Sequence, residues 1–212
     1  GAQWLRTKPV QSQFLDNFDG SAATSLILKT YKVVAEFVPT SLQNDNPAAL
    51  REIEKCSGIG AQTIFAVRWI KPAQHRKPNQ RVAHAIISFE EREAANTAIR
   101  QGLNIEGRKV FAHKQSPDPN RCYGCQSLDQ SHFAKDCKHE QACGTCGKPH
   151  SSTECPVEDT NSYFCVNCKV SGHAAWSRTC RSFTEARERL LATNKEAKYK
   201  YFPILNDPSS WE

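Results

Sequence analysis

"CYGCQSLDQSHFAKDC", residues 122–137, sets three cysteines and a histidine into sixteen residues with almost no aliphatic side chain beside them. Such a segment has no apolar core to collapse on, so something else must hold it in one shape. The pattern is Cys122-x2-Cys125-x6-His132-x4-Cys137, and it recurs as Cys143-x2-Cys146-x3-His150-x4-Cys155 and Cys165-x2-Cys168-x4-His173-x6-Cys180. Three thiolates and one imidazole make the closed tetrahedral set of structural zinc. A Cys-x2-Cys pair brings two sulfurs onto one turn, and the short steps that follow let a single loop wrap the ion. Three zinc ions are therefore expected in place of a core, since the ~10–16 kcal/mol of binding free energy is also folding free energy.

Ten cysteines also invite a disulfide reading, but bridges have no use for a histidine that returns in the same order three times. His139 stands close to Cys137 and competes with His132, though only His132 leaves the four-residue step to the last cysteine. The tenth cysteine, Cys56, reads as a small buried side chain on the apolar face of a helix. Four protein ligands leave no open metal position for water, and no Gly-rich phosphate loop, Gly-x-Ser-x-Gly elbow or His-Glu-x-x-His pair is found. A non-enzymatic protein without a small-molecule substrate is the expectation.

The chain has 212 residues, 39% of them hydrophobic. Most of the Val, Ile, Leu and Phe lie between residues 26 and 115, whereas residues 116–181 hold nine of the ten cysteines. A packed N-terminal domain followed by a metal-held segment accounts for the contrast. The net charge of +6 lies in residues 1–121, with 17 Lys and Arg against 11 Asp and Glu, while residues 122–181 balance at 6 and 6 and residues 182–212 at 5 and 5. No apolar run of about 18 residues is long enough to span a membrane. The opening GAQWLRTKPV lacks the charged start and apolar stretch of a signal peptide. A cytoplasmic or nuclear setting, where thiols stay reduced and open to metals, is expected.

Between residues 29 and 114 a β-α-β-β-α-β order is legible. YKVVAEFVP (31–39), TIFAVRWI (63–70), VAHAIISF (82–89) and RKVFAHK (108–114) read as strands. NPAALREIEKCSG (46–58) has an Asn N-cap, Pro at the first helical position and a closing Gly, with Ala49, Leu50, Ile53 and Cys56 on one face. EEREAANTAIRQG (90–102) is a second helix, turning Ala95, Ala98 and Ile99 inward. Two helices on one face of a four-stranded antiparallel sheet is an α+β fold of the ferredoxin-like split arrangement.

This domain resembles an RNA-recognition motif (RRM). Aligning the third strand to the motif K/R-G-F/Y-G/A-F-V-x-F/Y so that it ends on Phe89 puts His84 and Ile86 where the stacking aromatics belong and Ala83 in place of glycine. Isoleucine has no comparable π-face for a base, and Glu36 on the first strand repels phosphate. Phe111 and His84 are the remaining rings by strand parity. An apolar sheet face of Val34, Ile64 and Ile86 can be covered by the tail or by another protein. In the loop KPAQHRKPNQR, Lys71, Arg76, Lys77 and Arg81 are either phosphate contacts or part of a solvated hairpin; Arg108, Lys109, Lys114 and Arg121 extend the positive stretch toward the first knuckle.

The whole is similar to the Gag-like first-frame protein of fungal non-LTR (LINE-type, Tad-like) retrotransposons. The resemblance runs over 28–212 and is carried by WIKPAQHRKPNQRVAHAIISF, RCYGC, CGTCGKPHSSTEC, YFCVNC, GHAAWSRTC and the YFP at 201–203. It implies a protein that coats its element's RNA, self-associates into ribonucleoprotein particles and acts as a nucleic-acid chaperone. A domesticated gene or an effector derived from such an element implies a protein-interaction scaffold instead. Single-stranded bases are expected to stack on Tyr123, Phe133 and Trp176. The organisation expected is an N-terminal extension (1–27), an RRM-like domain (28–116), knuckles at 121–138, 142–156 and 164–181, and a C-terminal helix and tail (182–212), the helix over 182–200.

Overall fold

The computed structural model describes residues 29–129 and 132–212; the extension expected over 1–27 lies outside the described residues. The chain forms two compact units. One takes the residues up to Gln115 together with Tyr199–Glu212, and the other is Ser116–Lys198.

The first unit runs β1 (Tyr31–Pro39), α1 (Pro47–Ser57), β2 (Ile64–Trp69), β3 (Val82–Phe89), α2 (Arg92–Gln101), β4 (Leu103–Ile105), β5 (Arg108–Val110) and β6 (Ala112–Lys114). Four antiparallel strands lie in the order β2-β3-β1-β6. Because side chains alternate across a strand, Tyr31, Val33 and Ala35 share one face with Ala85, Ile87 and Phe89. That face packs on Leu50 and Ile53 of α1 and on Ala94, Ala95 and Ala98 of α2, so both helices lie on the same side. Asn46 caps α1, its side chain accepting from the Ala48 amide, and Gly58 closes it.

Four expectations are corrected here. Cys56 is exposed; the buried position on α1 belongs to Glu54, which is 1% exposed. Ile64 is in the core rather than on the open face, because a register shift between Ile64 and Ala66 turns Phe65 outward instead. The strand expected over 108–114 is two strands. Glu106 and Gly107, both with positive φ, make the tight turn of a β4–β5 hairpin, and the chain then breaks at Phe111 before β6 joins β1. The C-terminal helix, α3 (Arg181–Thr193), is shorter than the expected 182–200.

The tail does not simply trail. Asn96 of α2 pairs with the Phe202 backbone like another peptide group, its Nδ2 donating to the carbonyl at 2.8 Å and its Oδ1 accepting from the amide at 2.8 Å. Phe202 enters the core beside Tyr31, edge-on at 5.2 Å. Arg92 donates to the Pro203 carbonyl, Lys114 donates to the carbonyls of Tyr199 and Tyr201 at 3.2 and 2.9 Å, and Arg100 meets Asp207 at 3.2 Å. Trp211 Nε1 donates to the Ile204 carbonyl, which gives the indole its partner. The tail was expected as one of two covers for the open face of the sheet; its Phe202 docks on the helical side instead.

The second unit has little regular structure beyond α3 and the short hairpin β7 (Phe164–Cys165) and β8 (Val170–Ser171). Phe183 and Ala186 of α3 pack with Leu128, Ala175 and the buried Cys165 and Cys180. On its surface Arg181 pairs with Glu185 at 2.8 Å, one helical turn on.

Candidate metal centres and an aromatic cleft

Each cysteine–histidine repeat closes on itself. Cys122, Cys125, His132 and Cys137 bring one ligand atom each within 4.8 Å of the others, and so do Cys143, Cys146, His150 and Cys155, and Cys165, Cys168, His173 and Cys180. His139 is not in the first set; its ring stands 5.1 Å from that of His132. In all three clusters the histidine turns Nε2 toward the second cysteine, at 3.4, 3.6 and 3.2 Å. Zinc–sulfur and zinc–nitrogen bond lengths make the corresponding tetrahedral edge about 3.5 Å. Cys165 and Cys180 are 3.6 Å apart, sulfur to sulfur, far beyond a disulfide, and every cysteine is free. The three sets are compatible with three zinc ions.

The same backbone turn builds each cluster. The residue after the second cysteine has positive φ in all three, Gln126 at 66°, Gly147 at 74° and Lys169 at 59°. Its amide donates to the carbonyl of the first cysteine, at 2.8, 2.9 and 2.8 Å. This turn aims backbone N–H groups at sulfur. Burial raises the thiols, but against it the amides of Cys125 and Gly124 bring Cys122 down to about 7, and those of Cys146 and Thr145 bring Cys143 down to about 6. Cys125 of the first set and Cys165 of the third are pushed up, by burial first, to about 11. Thiolates this close repel one another, and a divalent cation among them removes that conflict.

The clusters are not independent beads. Gln126, 1% exposed, donates from Nε2 to the carbonyls of Tyr123 and Ala142, and its own carbonyl accepts from Asn167 of the third cluster at 3.0 Å. The Ala175 amide donates to Gly144, and that of Phe164 to Thr145. Gly144 is needed there, since a Cβ would lie 3.2 Å from the Trp176 ring and 2.9 Å from Gln126 Oε1. The second cluster, which carries no ring between its ligands, thus supports the ring of the third.

Tyr123, Phe133 and Trp176 line one cleft of about 570 Å³ together with Arg121, Lys135, Arg178, Leu128 and Phe183. The three rings are 75, 61 and 45% exposed, so their faces are open to a ligand. Arg178 is held by Asp118, while the Arg121 guanidinium lies 5.3 Å from the Tyr123 ring and 5.9 Å from that of Trp176.

The other basic residues behave differently from one another. Lys71, Lys77, Arg81, Arg108 and Lys109 are exposed. Arg76 folds back over the Trp69 ring at 4.3 Å and donates to the Lys71 carbonyl, so it is fixed within its loop. Lys114, expected on the positive stretch, is occupied by the tail. Arg121 belongs to the other unit, which divides the run that looks continuous in sequence. Sequence reading missed Gln126 and Leu128; the shared position of Gln126, Gly147 and Lys169 was the available signal for the first.

Among the described residues no helix is long and apolar enough to cross a membrane. No protein-family model, curated protein or solved structure matches the chain.

Proposed function

We propose that this is a non-enzymatic protein that binds RNA or other single-stranded nucleic acid, with three zinc ions holding Ser116–Lys198 in shape, in the manner of a Gag-like retrotransposon protein that self-associates on its RNA. Its main support is the convergence of Tyr123, Phe133 and Trp176, from two zinc knuckles distant in sequence, on one cleft with cationic residues. Stacking on such rings contributes ~1–3 kcal/mol per base and tolerates any sequence. An RRM-like reading of the first unit draws on its strand order and on both helices lying on one face. There Lys71, Lys77, Arg81, Arg108 and Lys109 supply phosphate contacts. Zinc would be held by the twelve residues of the three clusters and would supply structure, having no position left for a substrate.

A salt series with a labelled single strand is the test. Affinity is expected to fall steeply between low and physiological salt, as counterions are released from neutralised phosphates, and Trp176→Ala is expected to cost about tenfold or more. Binding that is absent rejects the reading. A scaffold role is favoured by one feature: Phe37, Phe65 and Phe111 are 62, 57 and 70% exposed, which suits a protein surface better than a phosphate backbone. Sedimentation with and without RNA separates the two, a multimer indifferent to RNA favouring the scaffold.

A further inference from the structure

Ser116-Pro117 is the one place in the chain where a serine or threonine precedes proline. It opens the second unit, in a stretch from Gln115 to Asn120 that has neither helix nor strand. A residue before proline is pushed out of the helical region into extended backbone, and Asp118 before Pro119 repeats the constraint. The segment is pinned at two points: Arg187 of α3 donates from Nη2 to Ser116 Oγ at 3.0 Å, and Arg178 pairs with Asp118. Ser116 and Arg187 are both exposed.

The two pins differ in charge. Asp118 offers Arg178 a carboxylate, whereas Ser116 offers Arg187 only a neutral hydroxyl. No carboxylate stands one turn from Arg187 on its own helix either, since positions 183, 184, 190 and 191 hold Phe, Thr, Leu and Leu. An arginine already in contact with that hydroxyl is placed to receive an anion built on it.

We propose that Ser116 is a phosphoacceptor for a proline-directed protein kinase and that Arg187 receives the phosphate. Such a kinase needs an extended substrate and a residue without an N–H directly after the acceptor, and Pro117 supplies it. The Ser116 Oγ–phosphorus bond forms as the bond between the γ-phosphorus of ATP and the bridging oxygen breaks; ADP leaves, and the hydroxyl proton passes to the kinase's catalytic carboxylate. The product carries about −1.5 to −2 charges and three acceptor oxygens, which turn a neutral hydrogen bond into a charge-assisted pair with the guanidinium. Because α3 packs through Phe183 and Ala186 on Cys165 and Cys180, the phosphate ties the entry of the unit to the helix resting on its third cluster. This site stands whether or not the aromatic cleft binds nucleic acid.

The test uses the full zinc-loaded chain, a purified proline-directed kinase and MgATP. Phosphate is expected at Ser116, mapped by fragmentation mass spectrometry, and is expected to be lost in Ser116→Ala and in Pro117→Ala. Phosphorus NMR of the modified chain then follows the second ionisation of the phosphate with pH. A paired guanidinium favours the dianion; Asp118 opposes it but is itself paired with Arg178. The ionisation is expected about half a unit or more below the value of about 6 for an unpaired phosphoserine, and Arg187→Gln is expected to restore that value. Metal content and thermal midpoint equal to those of the unaltered protein establish that Arg187→Gln is folded. Should it not fold, the ionisation in the unaltered chain, compared with the same chain in urea, still decides. No uptake at Ser116, or uptake only by chain stripped of zinc, overturns the site. An ionisation equal to that in urea, or a lowered one that survives in folded Arg187→Gln, overturns the assignment to Arg187.

Discussion

A carboxylate inside an apolar core is costly unless its charge is met, and Glu54 shows how this chain meets it. Its Oε2 accepts from the Gln62 amide at 2.8 Å, its Oε1 from the Ile64 amide at 2.7 Å, and Arg51 lies 3.1 Å away. The Ile64 amide opens β2, so one side chain on α1 fixes where the sheet edge begins. Glu54→Ala is expected to lower the stability of the first unit by about 3 kcal/mol, through two charge-assisted hydrogen bonds lost to the Gln62 and Ile64 amides, the second of them buried, as measured by urea unfolding. A loss under about 1 kcal/mol would mean that water satisfies those amides. Helical periodicity pointed to Cys56 for this face, because a charged residue is read as outward until its partners are seen, and the two amides it accepts from lie eight and ten residues further on. The three rings of the cleft illustrate the converse. Their type raised the expectation of stacking, yet nothing local announced that Tyr123 and Trp176 would meet the same arginine.

Strands and helices were legible where period and punctuation agreed. The Asn46-Pro47 start and Gly58 end of α1 follow directly from capping chemistry, and the alternation in β1 and β3 predicts their buried face. The last strand misled because its apolar residues Val110 and Ala112 suggested one run, whereas the Glu106-Gly107 turn captures the first half as a hairpin. The tail was the least legible element. Its Phe202 sits 106 positions from Asn96, and no local pattern reports so distant a pairing. Phe202→Ala is expected to destabilise the first unit by about 3–5 kcal/mol, since it empties a core position. Chemical denaturation followed through the near-ultraviolet signal of the first unit checks this, and an unchanged midpoint would show that the tail is only an attachment.

Two ways of making a stable body coexist in one chain. The first unit buries Val, Ile, Leu, Phe and Ala between a sheet and two helices. The second buries little apolar surface outside the small cluster around Phe183 and relies on the zinc proposed for its clusters. Chelation at neutral pH is accordingly expected to unfold Ser116–Lys198 and spare the rest. Hydrogen exchange should show the amides of Gln126, Gly147 and Lys169 losing protection while those of β1 and β3 keep theirs. Protection retained in the knuckles after complete metal removal would refute the metal-held account. Because Gln126 and Gly144 tie the three clusters together, disrupting the second with Cys143→Ser is expected to weaken single-strand binding as much as disrupting the first, although it contributes no ring.

Sequence alone determined the three ligand sets, since a metal imposes its spacing on neighbouring residues and leaves it in plain view. It also determined most strands and both helices of the first unit, all consequences of local chemistry. Only the tertiary structure decided which polar side chain is buried on α1, where the tail docks, and which rings and cations share a cleft. Those outcomes depend on contacts between residues far apart in the chain, whose free energy exists only once the surrounding packing has brought them together.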